Sequence, residues 1–313
     1  MLSRRLLRVK AIKALYAHLK SESDSLMASE KTLIASIDKT YDLYVQMLSL
    51  IVELARYAEQ CQEVAKQKKI PTYEDLNPNR KFVDNAVISL IANGDAVNDY
   101  MTKKKLSWAA YPELVKTLFQ QLEQSDYYKR YMLSEERSFK EDLALIVDFY
   151  TKELEESEML EDVLDEQSIL WNDDLGFALT LVIRTLSNLR ASHTDVKLLP
   201  KFKNEEDLLY VKELFSKAAV NYNANVELIE RFTHNWDIER VAFMDIVIMA
   251  AAIAELTSFP SIPVKVTLDE YIEISKYYST ASSGTFINGV LDKVVVTLTE
   301  EGKIAKSGRG LIG

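Results

Sequence analysis

The chain has 313 residues, 48% hydrophobic and 27% charged, ordinary values that argue against disorder over most of its length. A single cysteine, Cys61, excludes an intramolecular disulfide framework and a cysteine-rich zinc site. Six prolines and eight glycines are too few turn residues for a β-sandwich or a doubly wound sheet. The net charge of −10 speaks against a nucleic-acid partner until its distribution is read. Residues 1–21 hold Arg4, Arg5, Arg8, Lys10, Lys13 and Lys20 without an acidic residue, whereas Glu153–Asp174 carries ten acidic residues and no Lys or Arg. No apolar run is long enough to span a bilayer and the first residues lack a signal-peptide stretch, so the composition reads as cytosolic, with no membrane partner.

In chain order, the sequence predicts a helix over 3–20 with Ser3 as its N-cap. Residues 30–66 keep helical periodicity through Leu33, Ile37, Tyr41, Tyr44, Leu48, Ile51 and Leu54, as one long helix or two in succession. Ile70–Asn79 reads as a loop because Pro71 and Pro78 deny helix hydrogen bonds. Helices follow at about 83–93, 112–124 and 136–156, the last capped weakly by Ser134, and another spans Asp165–Leu189. Asn188–Asn204 is a polar connector holding Pro200, and the main boundary is placed there. Strongly apolar helices are expected at 205–222, 224–235 and 237–258. Thr267-Leu-Asp-Glu270 has the form of a capping box opening a helix to Tyr278, and a last helix runs from about Gly284 to Leu298. Val264–Val266 alternates like a strand too short to found a sheet. The segment 300–313 is polar, glycine-rich and expected to be a flexible tail.

On the first helix Arg8, Ile12, Leu15 and Leu19 fall on one stripe. A buried, unpaired Arg8 would cost several kcal/mol, so the expectation is that the first two turns overhang the packed body. Arg4, Arg5 and Arg8 then form a clamp for phosphates, because guanidinium forks fit phosphate oxygens bidentately, and Tyr16 offers a ring for an unpaired base. On this view, Arg4→Ala combined with Arg8→Ala weakens RNA binding while thermal stability barely moves. The same residues also suit a solvated amphipathic helix, or an arm docking on an acidic protein surface. Near the other end of the chain, Ser279-Thr-Ala-Ser-Ser-Gly-Thr285 leads into Phe286-Ile-Asn288. Its hydroxyls and free helix-start amides suit phosphate or base contacts, and Phe286 beside Asn288 suits stacking and edge reading. A plain helix start with Phe286 buried and Asn288 satisfying backbone is the alternative.

Catalytic patterns are missing. Glu230 and His234 stand i, i+4 but lack further ligands. The run Glu153–Glu166 lacks regular ligand spacing and reads as a solvated face. No phosphate-binding loop, nucleophile elbow or dinucleotide fingerprint occurs. Cys61 reads as inert packing, Asp173 and Asp174 beside Trp171 have no evident third partner, and Lys103–Lys105 reads as a loop or helix end. The expectation is a protein that is not an enzyme and needs no cofactor or metal.

Two separated blocks resemble the NusB family of transcription antitermination proteins. The first is Arg4-Arg-Leu-Leu-Arg-Val-Lys-Ala-Ile-Lys-Ala-Leu-Tyr16. The second covers about 205–298, with Trp236-Asp-Ile-Glu-Arg240, Asp245, Ala254-Glu-Leu256, Ile262-Pro-Val264, Asp269-Glu270, Glu273, Lys276 and Phe286-Ile-Asn-Gly-Val-Leu-Asp292. The chain departs from the family at Ile248–Leu256, where an arginine and a tyrosine are frequent. The resemblance implies an all-α, NusB-like helical bundle with a large additional helical insertion. Its parts would be a basic first helix (1–20), the insertion (21–200), a C-terminal core (201–299) and the tail (300–313). It also implies a single-stranded, boxA-type RNA as ligand, a small-subunit ribosomal protein (NusE) as partner, and work within an RNA polymerase antitermination complex. The RNA side would use Arg4, Arg5, Arg8 and Tyr16 with Phe286 and the loop before it, including Ser282, Ser283 and Thr285. Lys10, Lys13, Lys276 and Asn288 join them by proximity or chemistry.

Overall fold

The computed structural model describes residues 1–21, 25–233 and 241–311. Among the described residues there are fifteen α-helices and no strand, so the all-α expectation holds. The chain divides into two compact units, one of residues 1–2 and 38–201, the other of residues 3–37 and 202–313. No helix of the described residues is long and apolar enough to cross a membrane.

In the first unit, the rear part of α2 (Leu26–Lys66) is buried nearly all round, with Leu43, Tyr44, Met47, Leu48, Leu50, Ile51 and Leu54 fully inaccessible. A helix with apolar residues on every side must be enclosed by its neighbours. Its coat is tied to it by aromatic polar tips. Trp108 Nε1 donates to the Gln46 carbonyl at 3.0 Å, Tyr150 Oη to that of Met47 at 2.6 Å, and Trp171 Nε1 to that of Lys39 at 2.7 Å. The remaining helices are α3 (Tyr73–Leu76), α4 (Ala86–Asn93), α5 (Asp95–Lys104), α6 (Pro112–Gln124), α7 (Asp126–Leu133), α8 (Phe139–Lys152), α9 (Glu158–Gln167) and α10 (Leu175–Ser187). Helix α8 packs on α4, α7 and α10.

Several sequence expectations are corrected here. The proline-bounded loop contains α3, because Thr72 and Asp75 form a capping box between the two prolines. Helix α8 is capped by Ser138, not Ser134. The stretch expected as one helix from Asp165 is broken, since Ile169–Trp171 is a 3₁₀ turn and Asp173 has φ 62°, a conformation that a helix cannot carry. Asp174 does have a partner, accepting the Thr40 hydroxyl at 2.5 Å. Lys103 and Lys104 close α5 and Lys105 caps it in the left-handed conformation, so this run is a helix end. Cys61 is exposed, not packed.

The second unit is built around α13 (Phe243–Ser258), with Val247–Leu256 buried without interruption. Its alanine-rich sequence lets α1 (Arg4–Lys20), α11 (Glu205–Val220), α12 (Tyr222–Glu230), α14 (Val264–Tyr278) and α15 (Ser283–Glu300) all pack on it. Burying each of its large side chains contributes about 1.5–3 kcal/mol. Asn225 Nδ2 anchors α12 through the Ala250 carbonyl at 3.2 Å. The first turns of α2 belong to this unit, with Leu33 and Ile37 buried and Ser29 bonded to His18 at 2.9 Å. Val264–Val266 is the first turn of α14 rather than extended chain, and Thr267 lies inside that helix, not at its cap. The expected helix reaching 235, the start of the one at 237, His234 and the Trp236–Arg240 motif lie in part or whole outside the described residues.

Candidate nucleic-acid interface

Ser3 starts α1 by accepting the Leu6 amide at 3.2 Å, which satisfies one of the orphan donors of a helix start. The helix packs on α11 and α13 through Leu7, Ile12 and Leu15, and this orientation decides where its cations go. Arg8 is the main correction to the sequence reading. It does not overhang the body; it is 3% exposed, with Nε 2.8 Å from Glu255 Oε2 and Nη2 2.9 Å from Oε1. Glu255, 0% exposed on α13, also accepts the hydroxyls of Tyr210 at 2.5 Å and Thr267 at 2.8 Å, with that of Tyr271 at 3.4 Å. Burial would lower the Arg8 pKa, but the fields of Tyr210 and Glu255 and the bond to Glu255 outweigh it and raise the value. Burial, followed by the Glu255 charge, drives the Tyr210 phenol well above its ordinary range. Arg8 does stand in line with the core positions of α1, but its partner Glu255 is 247 residues away in sequence, beyond the reach of helical periodicity.

Arg4 and Arg5 are 41% and 47% exposed at the side chain. Arg4 Nε meets Asp207 at 3.1 Å, and its guanidinium lies 5.0 Å from the Tyr210 ring centre. Arg5 grips Glu270 with both Nε and Nη2, at 2.9 and 3.0 Å. The bond from Arg5 holds the Glu270 carboxyl below its usual range against partial burial, with the charges of Arg8 and Arg5 adding to it.

Eight residues after Arg5, Lys13 Nζ sits 5.1 Å from the ring centre of Tyr278, which is eight residues after Glu270. Helices α1 and α14 therefore run in the same direction, with the two contacts about 12 Å apart. Further along α1, Tyr16 meets the edge of Phe243 at 5.2 Å, and Lys20 Nζ lies 4.2 Å from the same ring. Tyr16 and Phe243 are half-buried. Lys10 is buried, so it does not present its charge outward as expected.

The chain leaves α14 at Ser279 and re-enters helix at Ser283. Ser283 is turned inward, its hydroxyl donating to Asp245 Oδ2 at 2.9 Å, which removes it from the outer face. Ser282 and Thr285 are exposed and Phe286 half-buried. Lys276 is exposed and paired with Glu273, while Asn288 Nδ2 reaches Asp292 on its own helix at 3.3 Å. Asp245 joins this loop to the start of α13, where Phe243 meets Tyr16. The 80%-exposed Tyr277 and the Lys20–Phe243 pair were not singled out from sequence, since nothing in periodicity marks a helix end as one wall of a face.

The described residues hold no group of acidic, histidine or cysteine side chains able to bind a metal ion. A model of the NusB family matches residues 180–296. The chain is 42% identical over 104 residues to a protein named transcription antitermination protein NusB from Salinibacter ruber, covering 33% of this chain and 65% of that one. It is 34% identical over 97 residues to the protein of the same name from Natranaerobius thermophilus, covering 31% of this chain and 70% of that relative. A third, from Chloroherpeton thalassium, is 42% identical over 84 residues, 27% of this chain and 40% of the relative. No solved structure matches the chain. This chain belongs to the NusB family. It spans less than two thirds of the length of the Salinibacter and Chloroherpeton relatives, and the Salinibacter protein is only about half as long as this chain.

Proposed function

We propose that this protein is a cytoplasmic transcription antitermination factor that binds single-stranded boxA-type RNA. On this reading it acts with the small-subunit ribosomal protein NusE in an RNA polymerase complex. The reading assigns it binding and no catalysis. The observation that carries it is the row of exposed or half-exposed cations and rings along α1, comprising Arg4, Arg5, Lys13, Tyr16 and Lys20. It lies on the unit that contains most of the family-matched segment. Cations supply salt-dependent phosphate affinity and rings supply stacking, each stacked base contributing about 1–3 kcal/mol.

The grip is assigned to Arg4 and Arg5 rather than Arg8, whose guanidinium is committed to Glu255. The test is a titration of labelled boxA-type RNA against the Arg4→Ala, Arg5→Ala double variant. Loss of two phosphate contacts lowers the slope of log K against log salt by about 1.4, while the fold is retained, since Arg5–Glu270 is an exposed pair and the buried Asp207 keeps the Lys203 amide. Unchanged affinity and slope would defeat the assignment. A second reading, a helical scaffold docking an acidic protein partner, is favoured by one observation: these arginines already hold carboxylates, Asp207 and Glu270.

A further inference from the structure

The segment after α15, expected to be a loose tail, folds back on the end of α13. Lys306 Nζ donates to the carbonyls of Leu256 and Phe259, both at 3.0 Å, and the Ser307 amide donates to that of Pro260 at 3.0 Å. Gly310 is buried in a short 3₁₀ turn, Gly308–Leu311. A Cβ on Gly310 would stand 2.0 Å from the Pro260 oxygen, so only glycine fits against this backbone without a shift.

Docking in this way brings Arg309 to the wall of an open groove of about 810 Å³. Ser3, Arg4, Arg5, Pro263 and Val266 are among the residues that line the rest. The charges around this groove decide its character. Arg4 stands against Asp207, Arg5 against Glu270, and Arg8 against Glu255 and, at 3.6 Å, Glu270, three cations to three carboxylates. The helix row thus contributes little net charge, although Arg4 keeps both terminal nitrogens, and Arg5 one, without a hydrogen bond among the described residues. Arg309 is exposed, and its side chain has no ion pair or hydrogen bond among the described residues. It is the cation that makes the groove positive.

We propose that Arg309 is a phosphate-binding residue of the RNA groove, opposing Arg4 and Arg5 and held in place by the docked tail. The inference rests on the RNA-binding reading given above. A guanidinium without a partner offers both prongs of its fork to one phosphate, whereas Arg4 and Arg5 offer only the nitrogens their carboxylates leave over.

The full chain is titrated with a fluorescein-labelled single-stranded RNA carrying a boxA-type element, by anisotropy, from 50 to 200 mM salt (the range over which counterion release is read). The variants are Arg309→Gln, Gly310→Ala and Lys303→Gln. Lys303 is an exposed cation of the same tail, paired with Glu301 and absent from the groove lining. Arg309→Gln is expected to weaken binding about tenfold and to lower the salt slope by about 0.7, one phosphate on a single strand, with an unchanged melting temperature. Gly310→Ala should reproduce the loss with Arg309 still present, and Lys303→Gln should leave both readouts at the wild-type value. Wild-type binding that Arg309→Gln leaves intact would overturn this inference and leave the RNA reading standing. Equal losses in Arg309→Gln and Lys303→Gln would overturn it as well, since diffuse tail charge would then suffice. A Gly310→Ala variant that binds like wild type would overturn the positioning by the docked tail. A wild-type chain that ignores the RNA and binds poly-glutamate would overturn both readings in favour of the acidic-partner scaffold.

Discussion

Replacing Arg8 by Met removes a cation that is 3% exposed and leaves Glu255, at 0% exposure, with three hydroxyls and no opposite charge in direct contact. Breaking a buried pair from one side costs about 3–5 kcal/mol, because the surviving charge has lost its solvent and its partner together. The hydroxyls of Tyr210, Thr267 and Tyr271 offset part of this, so a value near 3 kcal/mol is expected rather than the upper end. For a body of the size of the second unit that corresponds to a melting shift of roughly 6–12 °C. The readout specific to this unit is amide exchange along α13, whose slowest protons should lose about the same free energy of protection. Arg8→Met combined with Glu255→Gln should recover part of the loss, since no charge is then left buried and unpaired. Arg4→Met is the comparison, a pair whose arginine is 41% exposed and whose buried Asp207 keeps the Lys203 amide, expected to cost about 1–2 kcal/mol. If Arg8→Met costs no more than Arg4→Met, the buried pair is not what holds α1 to α13 and the reasoning fails.

Three further outcomes are expected from other contacts of the fold. Asn85, buried, accepts the Val87 and Ile88 amides at 2.9 and 3.1 Å and donates to the Asp142 carbonyl at 3.2 Å, so Asn85→Ala should cost about 2–3 kcal/mol in urea unfolding. A Cβ on Gly94 would stand 2.3 Å from Asp195 Oδ1, and Asp195 Oδ2 accepts the Ala96 amide at 3.3 Å; Gly94→Ala should therefore destabilise by about 1–3 kcal/mol, and by less in an Asp195→Ala background, where the clashing carboxylate is gone. Glu270 is held below its ordinary pKa of 4.5 by Arg5, so its stabilisation is full above that unfolded-state value and is lost as pH falls through the lower folded value. Melting temperatures of Glu270→Gln should fall less steeply than wild type below about pH 4.5, and a parallel pair of curves would refute the assignment.

What sequence could show here was set by whether the deciding contact is local. Ser3 and Pro112 mark the starts of α1 and α6 within a residue, because a cap hydroxyl accepts an amide two or three positions on and a proline at N1 has its φ already set and lacks only an N–H that the helix start leaves unbonded. Thr267 misled for the opposite reason. Its spacing to Glu270 has the form of a capping box, yet Pro263 already stands at the cap and the Thr267 hydroxyl is drawn to Glu255. Helix α7 was missed because its start at Ser125 follows α6 without a breaker, and the break after α9 escaped because its cause is one left-handed residue, Asp173. On the proposed RNA face, the outward placement of Arg4 and Arg5 was legible from charge. Arg309 was not, since a glycine-rich tail looks loose until Gly310 is seen against the Pro260 carbonyl.

The pairing of the arginine row changes how an RNA strand would be held. With Asp207 against Arg4, Glu255 against Arg8, and Glu270 against Arg5 and, at 3.6 Å, Arg8, a phosphate bound as proposed would meet the exposed guanidinium groups of Arg4 and Arg5 already oriented by carboxylates. Long side chains that have given up rotamer freedom on folding give up less on binding, so the carboxylates exchange net charge for preorganisation. That trade lowers long-range attraction while keeping short-range geometry, which favours discrimination of a fitted strand over indiscriminate polyanion binding. It also gives Glu255 a reach beyond stability. The same carboxylate that anchors Arg8 accepts Tyr210, over whose ring Arg4 lies, and Thr267, in the helix that carries Glu270 and so positions Arg5. Disturbing α13 at Glu255 therefore moves the two exposed arginines through two separate contacts, although Glu255 itself is wholly out of reach of RNA.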